Sequence, residues 1–259
     1  MGSRKIIWLD VTDSTNAAAL TAGEQGAAPG TVVVADSQTD GRGRLNRSWL
    51  SPPGMGLYFS VVLRPALAVE DLPKITLAVG LAVSKAVEAE YDVSPQIKWP
   101  NDLLLGERKF GGILTETGSL QTIPSGQHPL VVVGVGLNLF PPEGGFPPEL
   151  KERATSLSLH ADRKIARELL IEACVKAIEE MLQRLEADDF PAILSEWMQR
   201  DATKDRILNW VTPMGKEVTG VSLGPGPDGL LHIRDAEGAV HAVLSGDVSL
   251  VGKIPERQP

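Results

Sequence analysis

The chain has 259 residues, of which 42% are hydrophobic, enough for one large domain with a core and a second, small domain. Its formal net charge of −8 argues against nucleic acid as the main partner. A single cysteine, Cys174, excludes a disulfide within the chain, and no apolar run is long enough to span a membrane, so we expect a cytoplasmic protein without membrane association.

The first predicted elements surround a short polar segment. Residues 6–9 predict a strand, and residues 17–24 predict an alanine-rich helix with Asp13 or Ser14 as its N-cap. The hydroxyl groups of Ser14 and Thr15 either serve the helix end alone or also reach a ligand there. The sequence leaves both interpretations open.

A glycine- and arginine-rich segment, residues 41–49 (GRGRLNRSW), lies between two predicted apolar strands at 31–35 and 57–63. Its glycines let the backbone approach a ligand closely, and its arginines carry fixed charge in a fork that suits phosphate. Such a segment is a solvated surface loop, a nucleic-acid contact, or a loop that closes over a small anion. Because the protein is acidic overall, the third interpretation is favoured.

The middle of the chain predicts a core helix followed by a hairpin. Residues 71–91 carry an apolar stripe at helical spacing, and residues 96–102 (QIKWPND) end a strand in a turn. Residues 103–116 have the spacing of a hairpin, with Gly111 and Gly112 inside its return strand. Glycines weaken a strand, so they indicate either a bulge or a ligand passing close to the backbone.

A third glycine-containing strand is predicted at residues 130–140 (LVVVGVGLNLF). Gly134, Gly136 and Asn138 share one face of it, because side chains alternate with a period of two. Small residues on one face of a buried strand leave a slot, and the asparagine at its end is satisfied either by backbone or by a ligand.

The last third predicts two helices and then a small all-β unit. The helices cover residues 164–186 and 190–200. Between residues 208 and 251, short strand runs alternate with Gly, Pro and Asp turns, which is typical of a small antiparallel barrel. We therefore expect domains at 1–204 and 205–259.

The polar and glycine-rich segments all lie at strand ends or within strands of the first two thirds, so one sheet can assemble them into a single ligand site. The common phosphate loops GxxxxGK[ST] and GxGxxG are absent. Positive charge beside glycine-lined apolar strands suits a ligand with one oily end and one or more phosphates. That charge would come from Arg42, Arg44, Arg47, Lys98 and Lys109.

Five segments in order resemble those of biotin–protein ligases: DSTN (13–16), GRGRLNRSW (41–49), KWPND (98–102), KFGGIL (109–114) and GVGLN (134–138). The resemblance covers nearly the whole chain. It implies an α+β fold with a mixed, largely antiparallel sheet flanked by helices, as in class II aminoacyl-tRNA synthetases, plus a small C-terminal SH3-like β-barrel. Because the first strand begins almost at once, we expect a monofunctional form without an N-terminal DNA-binding domain, and no DNA binding.

The resemblance also implies a two-step reaction. Biotin and MgATP give biotinyl-5′-AMP and pyrophosphate, and biotin then passes to a lysine of a biotin carboxyl carrier protein or domain. ATP and biotin are thus substrates and Mg²⁺ is expected with them, with its ligands and the oligomeric state, monomer or homodimer, left open. The alternatives are a lipoate–protein ligase and a non-catalytic biotin or nucleotide sensor on the same scaffold.

The site residues implied by the resemblance form three groups. Biotin contacts are expected from Ser14, Thr15, Asn16, Gln38, Arg42, Gly43, Arg44, Lys109, Gly111, Gly112 and Gly136. ATP contacts are expected from Arg42, Arg44, Arg47, Trp49, Lys98, Asn101 and Asn138. Catalytic roles are expected for Arg44, Lys109 and Asp102, where Asp102 orients or deprotonates the acceptor lysine, or only forms a salt bridge with Lys109.

Two features depart from the family pattern. Asn46 stands where the family usually has glycine, and residues 150–160 contain no clear counterpart of the additional aromatic that some members place over the adenine. We expect residues 41–49 to be mobile without ligand and to order over the adenylate, which keeps a reactive anhydride away from water.

Overall fold

The computed structural model describes residues 5–123, 126–211, 217–243 and 247–250. They form two sheets with helices around the larger one. In chain order the elements are β1 (Ile6–Thr12), α1 (Thr15–Glu24), β2 (Val32–Gln38), β3 (Gly56–Leu63), α2 (Leu72–Tyr91), β4 (Gln96–Lys98), β5 (Asp102–Leu105), β6 (Arg108–Ile123), β7 (Gly126–Asn138), α3 (Pro148–Lys151), α4 (Arg167–Glu186), α5 (Phe190–Met198), β8 (Ile207–Val211), β9 (Glu217–Pro225), β10 (Leu231–Asp235), β11 (Val240–Val243) and β12 (Asp247–Leu250).

The larger sheet has seven strands in the order β1-β2-β3-β7-β6-β5-β4. Strands β1 and β2 are parallel, and every other neighbouring pair is antiparallel. The predicted fold class, a mixed and largely antiparallel sheet with flanking helices, is confirmed. None of the helices in the described ranges is long and apolar enough to cross a membrane.

The two faces of this sheet are covered unequally. Helices α2, α4 and α5 pack on one face and form most of the core, whereas α1 packs on the other face against a small apolar cluster. Because α1 has only 10 residues, it covers part of that face. Ser60, Gly134 and Gly136 share the α1 face, since they are spaced by two or four residues from Val62 and Val132 of the cluster. The open part of the α1 face is therefore lined by small residues.

The smaller sheet has five antiparallel strands in the order β11-β10-β9-β8-β12, which agrees with the expected C-terminal barrel. It is bonded to the turn after β4, because the indole nitrogen of Trp99 donates to the carbonyl of Gly229 at 3.1 Å. The amide of Ala202 donates to the carbonyl of Ile97 at 2.9 Å. The domain boundary at residues 204 and 205 stays a prediction, and the predicted strand end at residue 251 lies outside the described residues.

The start of α1 differs from the expectation. Ser14 occupies the N-cap position, but its side chain makes no capping hydrogen bond. The amide of Thr15 instead donates to Oε1 of Gln38 at 2.8 Å, and Asp13 accepts from the amide of Ser14 at 2.6 Å. Ser14 thus takes the expected N-cap position without the expected side-chain hydrogen bond, and Gln38, 23 positions from Thr15 in sequence, accepts from the first helical amide. A local sequence pattern cannot reveal a cap of this kind.

Candidate active site

An inner cavity opens on the α1 face of the large sheet, between the start of α1 and the arginine loop, residues 41–49. It brings Arg44 and Lys109 to one space although they are far apart in sequence. The predicted site residues that line it are Ser14, Thr15, Asn16, Gln38, Arg42, Gly43, Arg44, Arg47, Trp49, Lys98, Asn101, Asp102, Lys109, Gly112 and Gly136.

The indole of Trp49 lies in the predicted slot. A Cβ atom on Gly136 would lie 2.7 Å from the indole nitrogen, and one on Gly112 would lie 3.5 Å from the ring. Any side chain at Gly136 would therefore displace the indole. Within the described residues, the buried Trp49 Nε1 has no hydrogen-bond partner, so a donor is left for a bound molecule to satisfy.

Gly111 lines neither this cavity nor its neighbour. A Cβ atom there would lie 2.6 Å from Leu137 and 3.2 Å from Leu103, on the core face of the sheet. The β5–β6 register shifts between Leu103 and Leu104, so Phe110 is an extra residue that forms a bulge. Gly111 therefore does not face the inner cavity and is not placed to contact biotin, whereas Gly112 lines the cavity as expected.

Gly134 serves a different neighbour from the one expected. A side chain at this position would collide with the amide of Asn16. That amide is itself fully engaged, since Nδ2 donates to the carbonyl of Leu114 at 3.1 Å and to the carboxylate of Glu116 at 2.7 Å. Gly134 therefore makes room for Asn16, and it also lines the inner cavity.

The arginine loop forms a tight turn held by its own backbone. Gly43 N donates to Arg47 O, and Trp49 N donates to Gly41 O, each at 2.7 Å. Asn46 has a φ of +57°, in the left-handed region that favours glycine and, among other residues, asparagine. This conformation explains both the family's glycine and the tolerance of Asn46.

Charged side chains from the loop and the sheet face one another across the inner cavity. Lys109 Nζ lies 2.5 Å from the carboxylate of Asp102 and 5.1 Å from the Trp49 ring centroid. Arg44 lies with its Cζ 6.0 Å from the ring of Trp99. The salt bridge between Asp102 and Lys109, which was one of the expected roles of Asp102, is thus present. Its presence leaves open a second role of Asp102 in proton transfer.

The two asparagines expected at the nucleotide both make structural hydrogen bonds. Asn101 Nδ2 donates to the carbonyl of Ile113 at 2.9 Å and fixes the turn after β4 to β6. Asn138 Nδ2 donates to the carbonyl of Thr155 at 3.1 Å. Asn101 lines the inner cavity, whereas Asn138 lines only the neighbouring one.

A second, outer cavity of about 700 Å³ lies beyond Trp49, within the size range of small-molecule sites. Trp49, Lys98, Asp102 and Lys109 line both cavities, so they form the boundary between them. The apolar walls of the outer cavity are Met55, Tyr58, Phe140, Phe146 and Leu150.

Sequence reasoning missed several of these residues. Phe140 and Phe146 line the outer cavity just before residues 150–160, where the sequence showed no aromatic counterpart. Trp99, which lines the inner cavity beside Arg44, belongs to the KWPND segment but was given no role. The available signal was Phe140, two residues after the end of the GVGLN segment, and Phe146 in a proline- and glycine-rich loop gave none.

Two observations bear on whether the protein uses a cysteine nucleophile or a metal site built from its own side chains. Burial raises the pKa of the Cys174 thiol to about 12, so this fully buried residue is not a nucleophile. Across residues 5–123, 126–211, 217–243 and 247–250, no three His, Cys, Asp or Glu side chains come together as a metal site. We therefore assign no protein ligands to a metal ion.

Comparison with known proteins decides the family. Residues 8–138 match the model of the Biotin/lipoate A/B protein ligase family. The chain belongs to this family. It is 33% identical to the biotin–[acetyl-CoA-carboxylase] ligase of Mycobacterium tuberculosis over 95% of this chain and 89% of the relative.

Two further members of the family are similar over most of the chain. The bifunctional ligase/repressor BirA of Bacillus subtilis is 34% identical, over 95% of this chain and 74% of the relative. A solved structure of the biotin protein ligase of Aquifex aeolicus in complex with biotin and ATP superposes with a TM-score of 0.80 and 31% identity, covering 96% of this chain and 99% of that one. The cavity pair of this family member therefore lies on a scaffold that in Aquifex binds a vitamin and a nucleotide.

Proposed function

We propose that this protein is a biotin–protein ligase that forms biotinyl-5′-AMP from biotin and ATP and then transfers biotin to a lysine of a carrier protein. The observation that carries the proposal is the convergence of Arg44 and Lys109 on the polar inner cavity, with Lys109 also lining the aromatic-walled outer one. The names of the similar proteins, a biotin–[acetyl-CoA-carboxylase] ligase and a biotin protein ligase bound to biotin and ATP, support the same substrates.

The inner cavity suits the biotin head group. Ser14, Thr15 and Gln38 offer hydroxyl and amide groups at its closed end, and these match the carbonyl and two N–H groups of a ureido ring. Gly112 and Gly136 leave room on the sheet for the Trp49 indole, which would then form one side of the path of the valeryl chain toward Lys109. The carboxylate of biotin then ends at the boundary between the cavities.

The outer cavity suits the nucleotide. Trp49, Phe140 and Phe146 supply apolar and aromatic surface for a base, and Lys98 lies on the side that faces the inner cavity. We propose that Mg²⁺ enters with ATP as the substrate complex, since Mg²⁺ in such sites is held largely by phosphates and water. Asp102 is a carboxylate that lines both cavities.

In the first step a biotin carboxylate oxygen attacks the α-phosphorus of ATP, a new P–O bond forms, and the bond to pyrophosphate breaks. Two anions must approach, so the step needs fixed positive charge at both. Arg42, Arg44 and Lys109 supply it from the lining of the inner cavity, with Lys109 at the boundary to the outer one. In the second step a neutral lysine amine attacks the acyl carbon and AMP leaves. The acceptor lysine, with an ordinary pKa of about 10.4, must first lose a proton.

Pyrophosphate release tests the proposal directly. We expect the protein to release pyrophosphate from ATP when biotin is present and not when lipoate replaces it. Lys109→Met should lower the rate about 100-fold or more, because a preorganised charge at the reacting centre is removed. Lys85→Met is the control, since Lys85 is half-exposed and pairs with Glu196 away from both cavities.

The outcomes separate the candidate functions. Release with lipoate but not biotin would assign a lipoate–protein ligase, and release with neither would favour a non-catalytic sensor. Equal activity of the Lys109 and Lys85 variants would contradict the proposed role of the cavity boundary.

A further inference from the structure

A chain of polar side chains runs beneath the inner cavity. It connects Glu116, Asn16, Ser60, Thr15, Gln38 and Ser51 and ends on the backbone carbonyl of Trp49. Thr15, Asn16 and Gln38 line the cavity, whereas Ser60, Ser51 and Glu116 do not. Ser60 is completely buried. Ser60 and Ser51 can act on a ligand in this cavity only through the inner members, whereas Glu116 also lies 3.8 Å from Arg42.

The Glu116 end of the chain fixes the orientation of Asn16. Its Nδ2 faces two groups that only accept, the carboxylate of Glu116 at 2.7 Å and the carbonyl of Leu114 at 3.1 Å. Rotating the amide by 180° would place Oδ1 against both acceptors. Oδ1 therefore points at Ser60, whose hydroxyl donates to it at 2.6 Å.

The single proton of Ser60 decides the direction of the next hydrogen bond. Because it is used on Asn16, the Ser60 oxygen accepts across its 2.8 Å contact with Thr15 Oγ1. The hydroxyl proton of Thr15 is thereby used on Ser60, in preference to Gln38 Oε1 at the longer distance of 3.2 Å. Thr15 Oγ1 then presents lone pairs, not a proton, to the cavity.

At the other end of the chain, Ser51 fixes the orientation of the Gln38 side-chain amide. Gln38 Nε2 donates to Ser51 Oγ at 2.7 Å, and Ser51 Oγ donates to the carbonyl of Trp49 at 3.1 Å. Gln38 Oε1 consequently faces the start of α1, where the Thr15 amide occupies one of its two lone pairs. The second lone pair lies 3.2 Å from Thr15 Oγ1, and with the Thr15 proton on Ser60 it can accept from a donor in the cavity.

We infer that Glu116, Asn16 and Ser60 are positioning residues that set the hydrogen-bond polarity of the inner cavity, so that Thr15 and Gln38 present acceptors to the N–H groups of a cyclic urea. This inference rests on the proposed function. A dithiolane ring such as that of lipoate has no N–H donor, so its binding would leave buried acceptors unpaired, and such pockets discriminate strongly between ligands.

The first test compares Ser60→Ala with Ser84→Ala by titration calorimetry of biotin and of ATP. Ser84 is a matched control because it is also completely buried and its hydroxyl has no partner among the described residues. We expect Ser60→Ala to weaken biotin binding about tenfold, because Thr15 and Asn16 lose their orientation and biotin loses about one hydrogen bond. The affinity for ATP should change less than about twofold. Ser84→Ala should leave both unchanged.

A second pair of variants tests Glu116 and remains informative if Ser60→Ala does not fold. Glu116→Gln and Glu116→Met remove the same charge, which lies 3.8 Å from Arg42, but only glutamine can still accept from Asn16. We expect the methionine variant to bind biotin about threefold more weakly than the glutamine variant. Combining Ser60→Ala with Glu116→Met should add little to the larger single effect, because both act along one chain.

Three results would overturn the inference. One is biotin binding by Ser60→Ala equal to that of wild type, and another is an equal loss of biotin and ATP affinity, which indicates general disruption. Equal biotin binding by the two Glu116 variants is the third. Absence of biotin binding by wild type would overturn the proposed function as well, whereas wild-type binding with unaffected variants removes only this inference.

Discussion

Asp102 is held by Lys109 at 2.5 Å, so its role in transfer must be separated from its role in placing that lysine. We predict that Asp102→Asn slows transfer from preformed biotinyl-AMP about 100-fold, because the acceptor lysine loses its proton acceptor. The measurement is single-turnover biotinylation of a carrier domain. Glu107→Gln is the control, since Glu107 is a largely exposed carboxylate at the edge of the outer cavity. Normal transfer with slowed adenylation would mean that Asp102 acts only on Lys109.

At the same scale, the sequence predicted residue types better than residue orientations. The period of two correctly grouped Gly136 with Asn138, but it could not show that a bulge at Phe110 turns Gly111 toward the core while Gly112 faces the cavity. Asn16 was expected to contact biotin, whereas its amide is occupied by Glu116 and by backbone. Hydrogen bonds between residues about 100 positions apart leave no local signal.

We expect the arginine loop to be the element whose order depends most on ligand. Three arginines in one turn make it a substrate for trypsin, and we predict rapid cleavage within residues 41–49 that biotin plus ATP suppress. Asn46→Val should weaken this protection and hasten loss of biotinyl-AMP, because a β-branched residue at a φ of +57° costs about 1–2 kcal/mol. Asn46→Gly is the control and should retain the adenylate as wild type does. Cleavage at equal rates with and without ligands would refute the ordering of the loop.

Among the elements, those with strong apolar periodicity were predicted best. The helix expected at residues 71–91 is observed as α2, Leu72–Tyr91, and the hairpin of β5 and β6 forms as expected. Strands β6 and β7 extend further toward one another than predicted, through the polar residues 117–123. The sequence predicted the ends of these strands where their apolar pattern stops. Backbone pairing continues beyond those points, because it does not require apolar side chains.

The connection between the two sheets contains a buried carboxyl group, Asp201. Its Oδ1 accepts from the amide and hydroxyl of Thr203, both at 2.8 Å, while Oδ2 has no partner in the part of the chain that the structure describes. Burial raises the pKa of Asp201, although hydrogen bonds from Thr203 and the charge of Lys204 partly oppose this. Between the unfolded value of 3.8 and the raised folded value, the native state binds more protons, so Asp201 destabilises the protein as pH rises.

We therefore predict that Asp201→Asn raises the Tm at pH 7, on the order of 5 °C, and that the gain disappears as the pH falls below about 4. The neutral amide retains the acceptor for Thr203 and avoids a buried charge. The measurement is thermal unfolding by circular dichroism between pH 3 and pH 8, with the exposed Asp162→Asn as the control. A gain that is independent of pH, or a loss at pH 7, would contradict the assignment of Asp201 as a buried ionised group.

The hydrogen bond from Trp99 to Gly229 has an implication for protein engineering. The centroid of the same indole ring lies 6.0 Å from Arg44 Cζ, so the Gly229 carbonyl, in the turn between β9 and β10, holds a ring beside a cation of the inner cavity. With Arg44 in its proposed role, chimeras that exchange the C-terminal region between homologues should remain active only when the incoming segment presents an equivalent carbonyl at this turn. We therefore expect the C-terminal region to support the arrangement of the site and not to be an interchangeable module.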